Sequence, residues 1–351
     1  MFSASCRSCT KLLVISGSTS IIYTKNYTNR VEVIDLDGKK KTCKLKSRKS
    51  DDLPKMLCSI GGGAMKEFPI VCGTKCQNKT FELNSTEPQK CYKWSSEHSW
   101  ENIAPMAVSR GFFSTLVTDK GLIVMGGISY ELIKNLSKKH SKSSTNNIEI
   151  LAHINENWVE RQGLDDLMFF QCSVLINFTT VMLIGGAKYT DAASFGEAVG
   201  NTWFYNIHDG KWRPGPSLQY ARFGHSCGVI GNKITQKHIV IVSGGMYEIN
   251  GTRQVISSVE ILKFFKPELK WENGPSLPKS IVFGSMIENH KGVYMIGGLT
   301  HPNNTTPNLK VSKDIYFLKR NSNWEKSKQK LTIATSNHVA ILIPNKIVDC
   351  M

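Results

Sequence analysis

The sequence lacks any long apolar run. No stretch approaches the roughly 18 consecutive apolar residues that a membrane-spanning helix needs, and the longest runs, such as 121–127, have the length of a strand. The first residues, MFSASCRSCTKLLVISG, also lack the apolar core and the small-residue cleavage site of a secretory signal, and their short apolar stretch is typical of a first strand. We therefore expect no membrane span, and either an intracellular protein or one whose true N-terminus lies further upstream.

Catalytic signatures are missing as well. The chain has no GxSxG, HExxH or GxxxxGK[ST] motif, and the fragment 208–212 (HDGKW) lacks the pattern of a sialidase repeat. The short cysteine pairs Cys6/Cys9 and Cys72/Cys76 have no second pair of ligands at zinc-finger spacing. We therefore expect no enzymatic activity, no bound metal and no cofactor.

Acidic residues are scarce relative to basic ones. The 44 lysines and arginines exceed the 28 acidic residues and give a net charge of +16, which suits an acidic glycan or an acidic protein as a partner, whereas we do not expect nucleic acid. The alternative, which we prefer, is a solvated surface whose lysines protect the edge of an outermost strand with Cys43 and Leu45 pointing inward. The densest cluster consists of Lys39, Lys40, Lys41, Lys44, Lys46, Arg48 and Lys49.

What the sequence does contain is a repeat with a period near 55 residues. Six apolar runs end in glycine, and the last glycines are separated by 56, 54, 59, 59 and 53 residues. A short β-branched or aromatic strand follows each run, and a tryptophan follows that strand in every repeat except the first, which has Thr42 near that place. The glycines are Gly17, Gly73, Gly127, Gly186, Gly245 and Gly298, and the tryptophans are Trp100, Trp158, Trp212, Trp271 and Trp324.

A fourth strand lies between each tryptophan and the next glycine run, so each repeat predicts an antiparallel meander of four strands. Six such sheets must pack face to face to bury their apolar sides. The double glycine, the strand aromatic and the spaced tryptophan together resemble the kelch-repeat family over residues 11–343. The resemblance implies an all-β fold, a six-bladed β-propeller of four-stranded antiparallel blades.

The resemblance also implies how the ring closes. In kelch blades the innermost strand precedes the glycine strand, so we expect the C-terminal strand at 336–343 to pair into the first blade, which hides the open edges. Residues 1–351 then form a single domain. The expected blades are one (11–50 plus 336–343), two (54–104), three (111–162), four (169–216), five (222–276) and six (281–328).

The loops between the glycine strand and the aromatic strand carry most of the sequence's N-x-S/T sequons. Among the sequons, Asn177 alone lies elsewhere, and we expect these loops to emerge on one face of the propeller. The predicted glycosylation sites are Asn26, Asn78, Asn84, Asn135, Asn250, Asn303 and Asn304.

We expect a protein partner on the opposite face, which is formed by the loops that lead into the innermost strands. Arg110 and Arg222 match an arginine that kelch proteins present at the pocket mouth, so the resemblance implies that they bind a carboxylate or phosphate. Tyr220, Phe112 and Phe223 would add apolar contact. The alternative is that both arginines pair with neighbouring blades. On the binding interpretation, Arg222→Ala leaves folding intact.

The ten cysteines fit either disulfides formed in an oxidising compartment or buried thiols. We expect Cys350 near Cys6 and Cys9, where a disulfide could join the chain ends. Cys172 and Cys227 occupy equivalent positions of successive innermost strands and are expected to be buried free thiols. Together with the sequons, the cysteines favour an extracellular or secretory-pathway protein over a cytoplasmic one.

The sequence thus predicts a monomeric, non-catalytic kelch-repeat module that is secreted and binds a protein. One alternative is an intracellular kelch adaptor that recruits a target protein. Another is a propeller that binds acidic glycans through its basic surface, in which case added salt would weaken binding steeply.

Overall fold

The computed structural model describes residues 9–20, 26–39, 42–47, 50–76, 89–95, 97–128, 147–164, 168–190, 193–232, 237–249, 252–301 and 309–351. These residues form strands and a 3-10 helix at Asn345–Ile347, with no α-helix among them. The all-β prediction is therefore confirmed. Within the described segments, no helix has the length and apolarity needed to cross a membrane.

The strands are short, and most of them pair with a strand close in the chain. The first eleven are β1 (Lys11–Ile15), β2 (Val31–Asp35), β3 (Cys43–Leu45), β4 (Leu57–Met65), β5 (Phe68–Lys75), β6 (Gln89–Trp94), β7 (Trp100–Met106), β8 (Ser114–Thr118), β9 (Gly121–Met125), β10 (Ile148–Leu151) and β11 (Val159–Arg161). The next eleven are β12 (Met168–Phe169), β13 (Cys172–Leu175), β14 (Thr180–Ile184), β15 (Ala187–Thr190), β16 (Ala193–Ala198), β17 (Thr202–Asn206), β18 (Trp212–Pro214), β19 (Ser226–Asn232), β20 (Lys237–Ser243), β21 (Met246–Ile249) and β22 (Thr252–Val255). The last eleven are β23 (Val259–Lys263), β24 (Trp271–Asn273), β25 (Ile281–Val282), β26 (Ser285–Asn289), β27 (Gly292–Ile296), β28 (Leu299–Thr300), β29 (Lys310–Val311), β30 (Asp314–Lys319), β31 (Trp324–Lys330), β32 (Val339–Ile343) and β33 (Val348–Cys350).

Within the described part of the chain, six antiparallel sheets have four or five strands, and we number them sheets 1 to 6 in chain order. Smaller sheets of two or three strands lie in the loops within and between them. The large sheets have the strand orders β32-β1-β2-β3-β33, β4-β5-β6-β7, β8-β9-β10-β11, β13-β14-β17-β18, β19-β20-β23-β24 and β26-β27-β30-β31, and the small ones β12-β15-β16, β21-β22 and β25-β28-β29.

Sheet 1 combines the two ends of the described chain. Strand β32 pairs with β1, so that Ile343 lies opposite Lys11 and Val339 opposite Ile15. Strand β33 pairs with the other edge of the sheet, on β3. The prediction that residues 43–45 form an outermost edge protected by lysines is therefore wrong, because β33 covers that edge. Leu45 is fully buried as expected, and Cys43 is half-buried.

Apolar side chains fill the space between consecutive sheets. Middle strands such as β9 and β14 are buried at every position because a neighbouring sheet covers each face. One apolar cluster lies between each pair of consecutive sheets, and another joins sheet 6 to sheet 1, with Ile296 and Ile315 beside Leu12 and Val14. The first strands of the sheets contact one another in the same order. The sheets are therefore stacked face to face, as in a β-propeller.

The glycine pairs that end the second strands adopt left-handed backbone conformations. Gly244 has φ +67°, and a Cβ there would lie 2.2 Å from the carbonyl oxygen of Ile281. Both the conformation and the lack of space exclude a larger residue. In the degenerate first repeat, Ser16 keeps the same kind of conformation with φ +58°. The left-handed turn therefore persists in the first repeat although the double glycine is absent, whereas in the second repeat Cys72 and Gly73 lie within β5.

Four disulfides link the described cysteines in pairs, and Cys9 is disulfide-bonded as well. Cys350 is bonded to Cys43 rather than to Cys6 or Cys9, because β33 places it beside β3. The expectation of free thiols at Cys172 and Cys227 is wrong, because adjacent first strands bring the two sulfur atoms into bonding distance. The four pairs are Cys43–Cys350, Cys58–Cys76, Cys72–Cys91 and Cys172–Cys227.

Candidate functional site: the connection face

Two sets of loops emerge on the same face of the molecule. In a four-stranded meander the first and third strands run one way and the second and fourth run the other, so the loop after the second strand and the connection after the fourth leave from one edge. The pairing of β12 with β15 and of β25 with β28 joins loops of both sets. The prediction that they lie on opposite faces is therefore wrong. We call this surface the connection face, after the connections 50–56, 107–113, 162–164 with 168–171, 215–225, 274–284 and 331–338.

The connections have buried bases and exposed tips. Five of them have a buried apolar anchor within the loop or, for Met106, at the end of the strand just before it, and the neighbouring residues at the tips reach solvent. Such loops present a fixed surface because the buried side chain resists movement of the backbone. The buried anchors are Leu53, Met106, Leu218, Leu277 and Leu331, and exposed tip residues include Lys55, Ala107, Tyr220, Lys279 and Thr332.

Arg110 ties one connection to sheet 3. Its Nη2 lies 2.8 Å from Oε1 of Glu149 on β10, and neither side chain is exposed. Its Nη1 donates to the carbonyl oxygens of Gly126 and Asn147 at 3.0 and 2.8 Å. Glu149 also accepts the backbone N–H of Ala107 at 2.6 Å. One carboxylate therefore fixes both the arginine and the backbone of its connection.

Arg222 repeats this arrangement in sheet 5. Its Nη2 lies 2.8 Å from Oε1 of Glu260 on β23, again with neither side chain exposed, and its Nη1 donates to the carbonyls of Gly244 and Ser258 at 2.9 and 3.0 Å. Glu260 accepts the N–H of Gln219 at 2.6 Å. Burial lowers the pKa of Arg222, and the nearby Glu260 carboxylate opposes that effect.

The sequence left open whether the two arginines bind a partner or form ion pairs within the protein, and the structure shows ion pairs. They pair with a glutamate, although the glutamate belongs to the sheet that their own connection enters rather than to a neighbouring one. Because Arg110 and Arg222 are 1% and 0% exposed, neither guanidinium is presented to a partner in this arrangement. The arginines hold the connections in place.

Phenylalanine side chains fill the centre of the connection face. Phe170 lies at the middle, with its ring centroid 4.2 Å from that of Phe112, 5.9 Å from Phe223 and 5.0 Å from Phe283. Phe223 is 1% exposed and Phe112 is half-buried. Phe223 therefore packs inside the protein instead of providing the predicted contact to a partner. Among the predicted aromatic contacts, Tyr220 is 47% exposed.

Backbone hydrogen bonds form part of a ring that includes three of these phenylalanines. The N–H of Phe170 donates to the carbonyl of Phe112, and the N–H groups of Gly224, Phe283 and Asn337 each donate to the preceding ring member. Ser59 joins the ring through its side chain, whose Oγ accepts the N–H of Phe112, and all six ring members have a left-handed φ between 48° and 63°. The ring members are Ser59, Phe112, Phe170, Gly224, Phe283 and Asn337.

A cavity of about 230 Å³ lies beneath the ring, between the first strands. The Cys172–Cys227 disulfide and several serines line its wall. Two buried histidines, each directly after a ring member, also line it, and the Nε2 of His225 lies 3.1 Å from the carbonyl oxygen of Ile184. Burial lowers the pKa of His225 to about 3 and that of His338 to about 3. Both imidazoles are therefore neutral at physiological pH.

The described residues include two of the sequon asparagines. Asn26 is exposed in the loop between β1 and β2, on the connection face. Asn177 lies in the turn between β13 and β14, on the opposite face, where its Oδ1 accepts the N–H of Thr179. The predicted sites outside the described residues are Asn78, Asn84, Asn135, Asn250, Asn303 and Asn304, as are Lys40, Lys41, Arg48 and Lys49 of the basic cluster.

Comparison with known proteins supports the architecture. No family model matches the chain. Over 131 residues, or 36% of this chain, it is 29% identical to alpha-scruin of Limulus polyphemus, a kelch-repeat protein, and the match spans 13% of that protein's length. The solved structure of YjhT, which is kelch-like, superposes with a TM-score of 0.57 over 80% of this chain and 85% of that one, at 16% identity. The chain resembles kelch-type β-propellers.

Sequence reasoning missed the glutamates that organise the propeller's connections. Glu149 and Glu260 each occupy the second position of a third strand, within IEI and VEI. The first repeat has the same pattern at Glu32, in VEV. A charged residue repeated at one position of otherwise apolar strands was the available signal, because an acid at such a buried place needs a partner.

Proposed function

We propose that the six large sheets are the blades of a six-bladed propeller, closed by β32, which acts as a non-catalytic module for binding a protein. The main support for this proposal is the connection face, where buried anchors and two Arg–Glu pairs hold exposed loop tips in fixed positions. Preorganised tips lose little conformational entropy when a partner binds. We place the contact at these tips, around Tyr220.

The chain offers a matched pair of exposed aromatics to test this proposal. Tyr220 and Phe265 are each 47% exposed, but Tyr220 is at a connection tip whereas Phe265 lies in the turn between β23 and β24 on the opposite face. The partner is first identified as the protein that cross-links to the native chain in its own tissue. We expect Tyr220→Ala to abolish this cross-link and Phe265→Ala to leave it unchanged. Loss with Phe265→Ala alone would move the binding site to the other face and overturn the proposal.

We further propose that the protein is extracellular and glycosylated on the connection face. The four disulfides among the described residues and the sequon-bearing loops support this location, since such bonds persist in oxidising compartments. Peptide mapping by mass spectrometry of protein from its own tissue should find paired cysteines and glycans at the sequons. Free thiols with bare asparagines would instead favour an intracellular adaptor.

A further inference from the structure

The junction between sheets 6 and 1 differs from the other junctions because it lacks a tryptophan. In each of sheets 2 to 6, a tryptophan lies at the start of the fourth strand or directly before it. Its indole N–H donates to a backbone carbonyl of the preceding sheet or of the segment that leaves that sheet, as Trp324 does to Pro275 at 2.9 Å. Sheet 1 has Thr42 and Cys43 at the corresponding place. A cavity of about 310 Å³ occupies the junction, and Thr42, Cys43 and Lys330 are among the residues that line it.

The same junction lacks the arginine that sheets 3 and 5 contain. Arg110 and Arg222 each stand two residues before their ring member, and the corresponding residue before Asn337 is Thr335. The short Thr335 side chain donates to the carbonyl of Ser16 at 3.3 Å, the equivalent of the carbonyls of Gly126 and Gly244 that the arginines bind. Ser16, Glu32 and Thr335 all line the cavity.

The carboxylate that accepts the arginine is nevertheless retained. Glu32 on β2 accepts the N–H of Thr332 at 2.7 Å, as Glu149 and Glu260 accept an N–H from their own connections. Among the described residues, no salt bridge joins a lysine or arginine to Glu32; the exposed Lys313 donates to the carbonyl of Thr332 and acts on Glu32 only electrostatically, while burial raises the pKa of the Glu32 carboxyl. The carbonyl of Arg30 stands where those of Asn147 and Ser258 accept the arginines.

We propose that this cavity is a binding site for an arginine side chain of a partner protein, whose guanidinium completes the ion pair with Glu32. The acceptors have the arrangement that binds a guanidinium twice within the same chain: one carboxylate and two backbone carbonyls. The fork of a guanidinium can reach all three acceptors, whereas the point charge of an ammonium cannot match them at once.

The other charges around the cavity set how the arginine enters. Arg30, Lys44 and Lys330 stand at the exposed margin, while Asp35 is paired with Lys11 at 2.9 Å and Asp51 accepts the N–H of Leu45. The basic margin lowers the affinity of the cavity for any cation, so a free arginine peptide should bind weakly and an arginine held in position by a docked protein should bind more tightly. The inference rests on the proposed function in that a bound protein supplies this arginine.

The first test uses a peptide probe, acetyl-Gly-Arg-Gly-amide, against the same peptide with citrulline, which has the shape of arginine without its charge. We expect saturable binding of the arginine peptide by NMR titration, at least ten-fold tighter than the citrulline peptide. Glu32→Gln should weaken it at least ten-fold, while Glu325→Gln, an exposed acid outside the cavity, should leave it unchanged. Equal binding of the two peptides, or of a lysine peptide, would overturn the proposal.

The second test places an arginine of the chain itself in the cavity. Thr335→Arg should place a guanidinium against Glu32 as in sheets 3 and 5, so that the midpoint of thermal unfolding rises and binding of the arginine peptide is lost. A lower midpoint with peptide binding intact would contradict the proposed geometry. Capture of a partner through Tyr220 does not depend on either result, so failure of the cavity and failure of the proposed function are separable.

Discussion

Arg222 and Glu260 form an ion pair with neither side chain exposed. Removing one member of such a pair leaves the other charge buried and uncompensated, at a cost of about 3 to 5 kcal/mol. We therefore expect Arg222→Ala to lower the free energy of unfolding by about that amount, measured by urea denaturation. This reverses the sequence-based expectation that the substitution leaves folding intact.

The control for this prediction is Lys279→Ala, because Lys279 is an exposed residue of the next connection. We expect it to change stability by less than about 0.5 kcal/mol. The double variant Arg222→Met with Glu260→Met should be more stable than Arg222→Ala, since no charge remains buried. An unchanged unfolding midpoint for Arg222→Ala would show that the pair contributes nothing to the fold.

His225 and His338 make stability depend on pH. Each has a pKa of about 3 in the folded protein and near 6.5 when unfolded. Below pH 6.5 the unfolded state therefore binds more protons than the folded state. The stability that the neutral imidazoles provide is complete above pH 6.5 and is lost as pH falls towards 3. The free energy of unfolding should decrease by about 1.4 kcal/mol per pH unit for each histidine in that window.

The matched variant for this prediction comes from sheet 4. Gln171 occupies the position of these histidines and donates to the carbonyl of Met125, so His225→Gln and His338→Gln place a residue that the fold already accepts. Urea denaturation between pH 7 and 4 should show a shallower pH dependence in each variant. A slope identical to that of the native chain would exclude the histidines as its cause.

At the scale of strands and loops, the disulfides differ in the length of chain that they enclose. Cys43–Cys350 spans 307 residues, whereas Cys58–Cys76 spans 18. Since the entropy removed from the unfolded chain grows with loop length, replacing the first pair by serines should destabilise the protein by about 2.5 kcal/mol more than replacing the second. Equal losses in guanidinium denaturation would show that strain, rather than chain entropy, governs both bonds.

The sequence predicted the positions of the strands better than it predicted the disulfides and ion pairs between distant parts of the chain. Glycine runs such as 121–127 and the spaced tryptophans identify the strands because their apolar periodicity is local. Strand β33 and the Cys43–Cys350 bond were not foreseen, because they depend on residues 307 apart meeting in one sheet. The roles of Arg110 and Arg222 could not be assigned for the same reason, since their glutamates lie on strands that only the folded chain brings near.

At the scale of the whole molecule, the meander places the sequon loops and the connections on one face. Glycans there would compete with a partner for space, so we expect Asn26→Gln to increase partner affinity several-fold, measured by biolayer interferometry. Asn177 provides the control because its turn lies on the opposite face. If Asn177→Gln raised the affinity equally, crowding on the connection face would not be the explanation.

The pairing of β32 with β1 has a consequence for synthesis. While the chain is emerging from the ribosome, Lys11–Ile15 appears long before Val339–Ile343, its neighbour on one side. Until that second strand emerges, the same side of β1 has exposed backbone N–H and C=O groups and an apolar flank available to other nascent chains. The demand for chaperones should therefore be greatest just before residue 343 is released, and premature stop codons even slightly upstream should yield aggregates rather than shorter folded proteins.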